Sequence, residues 1–202
     1  MFKQITYRNV NLKRKYISTR LRLSFLHLYL GRQLTVKTAS AASSYKGPYS
    51  AKNLIDNDID TYYYSEERSK GDLFWIQLEL ESMVYVDKIE LVAIKECCWE
   101  KLSHVTIRVG THSVQSTDSK TEQLSKLRKN EVCNYWEDTA THSEQTITIQ
   151  CGNDLYPGTR TKEGQFVTIW AEDPQHNFLG LAEARVFGTG LNIKFLQNIY
   201  FR

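Results

Sequence analysis

The chain has 202 residues, of which 41% are hydrophobic and 12% aromatic, and a formal net charge of +3. This length and content suit one globular domain with a sizeable core plus tails. No apolar run approaches the roughly 20 residues that a membrane-spanning helix needs, and the 12 Tyr and four Trp favour strands over helices.

The first 32 residues form a basic arm. Residues 1–33 carry eight Lys or Arg and no acid, which leaves −5 for the remainder. The positive charge therefore belongs to the arm, and we expect the domain to bind no nucleic acid. The apolar stretch Leu21–Leu30 is interrupted by Arg22 and His27 and lacks an obvious cleavage pattern. A misassigned start, a membrane-surface segment (the only membrane contact expected) and a targeting sequence all remain open.

Gln33–Ala51 predicts a short strand and a Ser/Ala-rich turn that ends at Gly47-Pro48. An acidic loop follows, with four oxygen-bearing side chains within eight positions: Asn53, Asp56, Asp58 and Asp60. Hard divalent cations prefer several oxygen ligands, so the loop is a candidate calcium site. An EF-hand loop would place Asp56 first and Glu67 twelfth, but Thr61 replaces the glycine required at the sixth position. A solvated acidic turn without metal is the simpler alternative.

Leu73–Leu80 alternates apolar and polar residues and predicts a strand. Trp75 on this strand is expected to pack in the core rather than to stack on a sugar. Ile89–Ala93 and Val105–Gly110 alternate in the same way and predict two further strands. A charged turn with two adjacent cysteines separates them.

The adjacent cysteines, Cys97 and Cys98, admit two interpretations. Neighbouring Cα atoms lie about 3.8 Å apart, below the usual range of roughly 4.4–6.8 Å for bridged pairs. A disulfide here would be a small strained ring with a flat, apolar sulfur surface, suited to the C–H face of a sugar. Two separate thiols are the alternative, since strain is properly argued from observed geometry.

The segment Ala93–Gly110 resembles the central motif of the F-type lectins, or fucolectins. That motif has an acidic residue, two cysteines, a basic residue three positions later and an I-R-V-G strand end, matched here by Glu96, Cys97, Cys98, Lys101 and Ile107–Gly110. The resemblance extends from Gln33 to Gly188. It implies an all-β fold, a jelly-roll-type antiparallel β-sandwich of the galactose-binding-like or discoidin-like kind. The implied organisation is an arm (1–32), a lectin-like domain (33–189) and a tail (190–202).

The resemblance also implies a calcium ion at the acidic loop. In the family, backbone oxygens, carboxylates, a Ser after the loop and a Glu on the last strand hold the metal. The corresponding residues are Asn53, Asp56, Asp58, Ser65, Ala182 and Glu183. Glu183 lies among apolar residues, so it needs a partner, and a calcium ion is one.

Only some of the residues that contact the sugar in the family have counterparts in this chain. A family His after the loop and an Arg before the cysteines are missing; the Arg position is Ile94 and no His occurs in Ser65–Ser69. A site that loses hydrogen-bond donors loses discrimination, which argues against fucose specificity. Either the pocket has degenerated or it is a basic pocket for another glycan. The residues of that predicted pocket are Arg68, Lys95, Cys97, Cys98 and Lys101.

Thr111–Ile149 is polar and irregular, apart from a predicted strand at Thr146–Gln150. The family has a second disulfide in this part of the chain, so the resemblance implies a Cys133–Cys151 bond beside the Cys97–Cys98 bond. Such a bond would stabilise the fold by about 3 kcal/mol on the chain-entropy estimate. Zinc is disfavoured because the cysteine spacing is wrong and no histidine pair follows.

Gly164–Trp170 and Phe178–Phe187 predict two antiparallel strands in a closing hairpin. They resemble the final motif of the family.

None of the five histidines has a recognisable catalytic setting, so no enzymatic activity is expected. The predicted function is a calcium-containing, secreted carbohydrate-binding module whose partners are glycans, fucosylated glycans among them. The alternative is a discoidin-like adhesion module that binds protein or anionic lipid and has lost its sugar site. Extracellular localisation rests on the expected disulfides, and a homo-oligomer is left open.

Overall fold

A computed structural model of the protein describes residues 31–67, 72–151, 161–171 and 178–190. The arm up to Leu30, Arg68 and the tail from Leu191 lie outside the described residues. Across the four described ranges, no helix combines the length and apolarity needed to cross a membrane.

Within those ranges the chain forms ten strands, one α-helix and two short 3₁₀ helices. In chain order they are β1 (Arg32–Gln33), β2 (Val36–Ala41), a 3₁₀ helix (Ala51–Ile55), β3 (Tyr63–Tyr64), β4 (Phe74–Val92), a 3₁₀ helix (Trp99–Lys101), β5 (Ser103–Gly110), α1 (Lys120–Lys129), β6 (Glu131–Thr139), β7 (Thr146–Gln150), β8 (Lys162–Ala171), β9 (Gly180–Leu181) and β10 (Glu183–Gly190).

Strand β4 organises the sandwich because it pairs with four other strands, β2, β7, β8 and β10. Its first half pairs with β2 and β8, so that Ile76 lies between Ala41 and Ile169. Its second half pairs with β10 and β7. The register against β8 shifts between Glu79 and Val84, and Val84–Val86 then pair with β8 on one side and β10 on the other. All these pairings are antiparallel, and the fold is the predicted β-sandwich.

The core lies between the layers and is filled by the alternating apolar residues of the long strands. Fully buried side chains include Ile76, Leu78, Ile89, Leu91, Val105, Ile107, Val109, Val167, Ile169 and Val186. Burial of apolar surface contributes about 25 cal/mol per Å², so these strands carry most of the stability. The predicted strands at Val105–Gly110 and Thr146–Gln150 are confirmed as parts of β5 and β7.

Two sequence predictions are wrong in pairing or extent. The closing hairpin does not form: β8 pairs with β4 and β5, whereas β10 pairs with β1 and β4, because β4 lies between them. The strands predicted separately at Leu73–Leu80 and Ile89–Ala93 are one continuous strand of 19 residues. Exposed polar residues such as Glu81 and Ser82 conceal that continuity in the sequence.

Helix α1 covers a second, smaller core within the segment predicted to be irregular. The Ser119 side chain accepts a hydrogen bond from the amide of Glu122 and caps the helix. Leu127 packs with Trp75, Val114 and Trp170. Trp75 is fully buried and donates to Gln123 Oε1 at 2.9 Å, so its predicted place in the core is confirmed.

Candidate functional site

The acidic loop is folded by its own carboxylates. Asp56 Oδ1 accepts a hydrogen bond from the amide of Asp58 at 2.9 Å, and Asp58 Oδ1 accepts one from the amide of Asp60 at 3.0 Å. The Thr61 hydroxyl lies 2.7 Å from Asp56 Oδ2 and 3.0 Å from the Asp58 carbonyl oxygen. Asn57 takes the left-handed conformation with φ of 62°, which asparagine tolerates better than most residues. The loop thus gathers carboxylate, carbonyl and hydroxyl oxygens.

Glu183, the first residue of β10, faces this loop from the interior. Its side chain is 1% exposed, and the backbone amides of Asn57 and Asp58 donate to it. Its Oε2 lies 3.6 Å from Arg185 Nε, whereas its Oε1 has no hydrogen-bond partner among the described residues. Burial raises the pKa of Glu183, against the opposing effect of Arg185, and the nearby Asp56 raises it further. A buried carboxylate with one unsatisfied oxygen is unusual, because buried polar groups are normally hydrogen-bonded.

Three other predicted calcium ligands, Asn53, Ser65 and Ala182, make hydrogen bonds within the protein. The Asn53 side chain donates to the carbonyl oxygens of Pro48 and Tyr62, at 2.6 and 2.9 Å, and anchors the loop. Ser65 is buried, but its hydroxyl accepts a hydrogen bond from the amide of Leu179 at 2.9 Å. The amide of Ala182 donates to the carbonyl oxygen of Val92 at 2.8 Å.

The pairing of β3 with β9 separates Ser65 from the acidic loop. Tyr63 pairs with Leu181 and Tyr64 with Gly180. Continuing this register places Thr61, which is not among the ligands predicted from the sequence, opposite Glu183.

The donor set fits a hard cation, although not as a cluster of acids. In the described part of the chain, no three His, Cys, Asp or Glu side chains converge as a metal site. A calcium ion would therefore take backbone and hydroxyl oxygens in addition to Asp56 and Glu183, as this kind of ion does. An EF-hand is excluded because a five-residue 3₁₀ helix precedes the loop and strand β3 follows it.

The segment between β4 and β5, which we call the cysteine turn, contains the predicted disulfide between adjacent residues. Cys97 and Cys98 are bonded, with Cα atoms 3.7 Å apart, and Cys98 has a left-handed backbone with φ of 60°. Cys97 is exposed and Cys98 half-buried, so the sulfur surface faces solvent. The second predicted bond, Cys133–Cys151, is also present. All four cysteines are paired, and the interpretation as free thiols is wrong.

An aromatic strip, which the sequence analysis did not predict, lies beside this turn. Its members are Tyr45, Tyr49, Tyr62, Tyr64 and Phe178. Along the chain, Tyr63 is 1% exposed, and its neighbours on either side point outward because side chains alternate in extended backbone. The Tyr64 carbonyl accepts a hydrogen bond from the Tyr45 amide at 2.7 Å, and the Tyr64 amide donates to the Tyr49 carbonyl at 3.5 Å. Backbone pairing thus gathers tyrosines from two segments.

The rings of the aromatic strip are in contact with one another. Tyr49 and Tyr62 have centroids 5.0 Å apart and planes 32° apart, and Tyr64 and Phe178 have centroids 5.1 Å apart and planes 36° apart. Tyr49 and Tyr64 join the two pairs at 6.5 Å and 60°. Tyr45, 51% exposed, lies 6.0 Å from Tyr49 and 6.3 Å from Tyr64. Apart from Tyr45, the rings are half-buried.

The aromatic strip continues into the cysteine turn. Lys101 Nζ lies 4.1 Å from the centroid of Phe178, a cation–π contact. At Gly180 an added Cβ would lie 3.0 Å from both Ile94 Cδ1 and Tyr64 Cδ2, so a side chain here would push against these two residues. Lys101, whose amide donates to the Cys98 carbonyl oxygen at 3.0 Å, therefore connects the segment of the disulfide to the aromatic rings.

Acidic residues of the cysteine turn contribute to raised pKa values of two tyrosines in the aromatic strip, Tyr62 and Tyr64. A hydrogen bond with the Tyr49 side chain, together with burial and the charge of Glu96, raises the pKa of Tyr62 to about 12. Burial, with Glu100 nearby, raises the pKa of Tyr64. Both phenols therefore stay protonated at neutral pH and keep their hydroxyl hydrogens.

The two predicted basic residues in the described part of this surface have different partners. Lys95 Nζ lies 2.6 Å from Asp60 and 3.6 Å from Glu144, and its hydrogen bond to Asp60 raises the pKa of Lys95. Lys95 thus links the acidic loop to the turn before β7. Lys101 Nζ instead lies over Phe178 and 3.7 Å from Glu100 Oε1. The predicted third member, Arg68, falls outside the described residues.

Comparison with known proteins identifies the fold. No family model and no curated relative matches the chain. A fucolectin from striped bass (Morone saxatilis) serum is similar in structure, with a TM-score of 0.59 and 20% identity over 78% of this chain. The chain spans 49% of the length of that lectin.

Two bacterial modules are similar over more than nine-tenths of their lengths. The family 32 carbohydrate-binding module of Clostridium perfringens NanJ, solved with galactose, has a TM-score of 0.54 and 16% identity, over 77% of this chain and 99% of that one. A Streptococcus pneumoniae fucose binding module has a TM-score of 0.52 and 11% identity, over 75% and 91%. The chain therefore has the galactose-binding-like β-sandwich fold that F-type lectins and these modules share.

Proposed function

We propose that this chain is a carbohydrate-binding module whose binding surface is the cysteine turn and the adjoining part of the aromatic strip. The observation that carries this proposal is the position of Lys101, whose amide donates to the Cys98 carbonyl oxygen at 3.0 Å and whose Nζ lies over Phe178, the ring that packs on Tyr64. The proposed surface lies on a fold shared with solved sugar-binding modules. The role is binding and not catalysis.

The chemistry of the surface suits a sugar. The disulfide and the aromatic rings offer apolar surface to the C–H face of a pyranose, while tyrosine hydroxyls can bond its hydroxyl groups. Lys101 supplies up to three hydrogen-bond donors from its place over Phe178. The ligand class is a glycan with an exposed C–H face. Fucose is not singled out, because the family His and Arg have no counterparts in this sequence.

We propose further that a calcium ion is held at the acidic loop. Its ligands would be Asp56, Asp58, Thr61 and Glu183, with the carbonyl oxygens of Asn53 and Ala182. The unsatisfied Oε1 of Glu183 supports this assignment. The ion would supply the positive charge that the buried carboxylate lacks and would fix the loop from which Tyr62 and Tyr64 continue.

Secretion is part of the same proposal. Two disulfides that use all four cysteines are typical of proteins that fold in an oxidising compartment.

A glycan array, with calcium and with chelator, tests the function, and Lys101→Ala tests the site. Loss of a charged hydrogen-bond donor, worth about 1.5–3 kcal/mol, should weaken binding of the strongest array glycan by about tenfold to a hundredfold. Lys88→Ala is the matched control, because Lys88 also lies over a ring, Phe187, at 4.3 Å.

Equal affinity of Lys101→Ala and wild type would remove Lys101 from the site. If the folded wild type bound no glycan but bound anionic liposomes or a protein ligand, the discoidin-like adhesion function would replace the one proposed.

A further inference from the structure

We infer that Arg185 is a built-in competitor of calcium at Glu183, so that the charge of this arginine sets how tightly the ion binds. Without calcium, the guanidinium of Arg185 neutralises the buried carboxylate, and an incoming ion displaces it. This inference rests on the proposed calcium site and goes beyond it, because it gives a role to a residue that is not among the proposed ligands.

Glu183 and Arg185 lie on the same face of β10, because side chains two positions apart in a strand point the same way. The backbone amides of Asn57 and Asp58 donate to Glu183, so the acidic loop covers this side chain and leaves it 1% exposed. The side chain of Arg185 is 29% exposed. A buried acid and a partly exposed cation are thus neighbours at the edge of the acidic loop.

The ion pair between these two residues is loose. Arg185 Nε lies 3.6 Å from Glu183 Oε2, whereas charge-assisted hydrogen bonds of this kind are about 2.7–2.9 Å long. The other oxygen, Oε1, has no hydrogen-bond partner in the described part of the chain. The guanidinium therefore balances the charge of the carboxylate without occupying its hydrogen-bonding positions, and a divalent ion can replace it.

Arg185 has room to move and a second acid to move to. A cavity of about 310 Å³ has Asn57, Glu183 and Arg185 among its lining residues. Arg185 is also the partner of Glu90 in the antiparallel register of β10 with β4, which places the two side chains side by side on one face of the sheet. The guanidinium can therefore turn from Glu183 to Glu90 when an ion arrives.

The charge of Arg185 has opposite effects on the two states of the site. Like charges a few ångströms apart repel even in water, and the repulsion doubles for a divalent ion, so Arg185 weakens calcium binding. In the chain without calcium the same arginine is stabilising, because a buried carboxylate that lacks a counter-charge is costly. Arg185 thus supports the fold before the ion binds and reduces the stabilisation that the ion brings.

Calorimetric titration of calcium into the full chain, first stripped of metal with chelator, tests the affinity. Arg185→Gln should bind calcium about tenfold more tightly than wild type, the order expected when a divalent ion in a partly solvated site is relieved of one positive neighbour. Arg185→Lys keeps the charge and should bind calcium much as wild type does. Lys162→Gln is the matched control, because Lys162 has a similar side-chain exposure of 25% but is paired with Glu131 at 3.0 Å. It should leave the calcium affinity unchanged.

Thermal unfolding adds a measurement that a purely structural role of Arg185 would not change in the same way. In chelator, Arg185→Gln should unfold at a lower temperature than wild type, because Glu183 has lost its counter-charge. In saturating calcium this difference should shrink or reverse. An equal loss of melting temperature in both conditions would overturn the inference.

The outcomes separate this inference from the proposed calcium site. If wild type binds calcium and folded Arg185→Gln binds it no more tightly, Arg185 is not a competitor, and the calcium site stands. Absence of calcium binding in wild type and in folded Arg185→Gln alike would overturn both. Should Arg185→Gln fail to fold, the Nε–H resonance of Arg185 in wild type decides. It should shift as calcium is added, and an unchanged resonance at saturating calcium would overturn the inference.

Discussion

The sandwich has two regions that satisfy their buried polar groups in different ways. We call the long strands and the core between them the body, and the acidic loop, the cysteine turn and the aromatic strip the loop end. In the body, buried Gln77 donates to Thr168 Oγ1 at 3.0 Å and accepts a hydrogen bond from the amide of Val114 at 2.9 Å. At the loop end, buried Glu183 keeps one oxygen without a partner in the described chain. Gln77 is thus satisfied by the chain itself, whereas we propose that a calcium ion satisfies Glu183.

The two disulfides show the same contrast. Cys133 and Cys151 are buried and join β6 to the end of β7, 18 positions apart. Cys97 and Cys98 are adjacent and face solvent, so their bond constrains almost no chain. Since disulfide stabilisation grows with the loop closed, the first bond stabilises the fold and the second shapes a surface.

The largest expected effect on stability comes from the body. Replacing both Cys133 and Cys151 by Ala should lower the free energy of unfolding by about 3 kcal/mol, because the loop between them is no longer closed in the unfolded chain. Urea denaturation measures the loss. Glycan affinity of the folded fraction should not change. A loss below about 1 kcal/mol would show that the bond is not a stabilising element of the body.

A smaller effect on the free energy of unfolding, present only when calcium is supplied, is expected at the acidic loop. Calcium at a hundred times its dissociation constant should stabilise wild type by about 2.7 kcal/mol, and Glu183→Gln should abolish most of this gain because a carboxylate ligand is lost. Thermal unfolding with calcium and with chelator measures it. Glu79→Gln, an acid of the body paired with Lys37 at 2.8 Å, is the control and should keep the gain. An unchanged calcium response in Glu183→Gln would exclude Glu183 from coordination.

The smallest effect on stability is expected at the cysteine turn. Replacing both Cys97 and Cys98 by Ala should change the free energy of unfolding by no more than about 0.5 kcal/mol, as for most surface substitutions. Glycan binding should nevertheless weaken, because the sulfur surface and the backbone that it imposes are gone. Chemical denaturation and calorimetric titration of one preparation check both. A large loss of stability with intact binding would reverse the roles that we give to the two disulfides.

The sequence was sufficient for the fold class and for several strands of the body. Alternation located β5 and β7 because one side of each strand is buried and the other is less so. It could not reveal that β4 is continuous, since Glu81 and Ser82 are exposed within it. It also failed at α1, where Leu127 is the only buried residue of the helix, so no apolar period marks it.

At the loop end, local motifs were informative and long-range contacts were not. The adjacent cysteines and the spacing of Asp56 and Asp58 could be recognised from the sequence. The aromatic strip could not, because it depends on hydrogen bonds that bring Tyr45 and Tyr49 to Tyr64. The outward alternation of Tyr62 and Tyr64 around buried Tyr63 was the one available signal.

The most direct test of the account is to map bound sugar by nuclear magnetic resonance, in calcium, with the glycan that the array ranks first. We expect the largest backbone shifts at Cys97, Cys98, Lys101 and Tyr64, with residues of the body such as Thr168 unaffected. Shifts confined to another surface, or none at saturating glycan, would contradict the assignment of this end of the sandwich as a carbohydrate site.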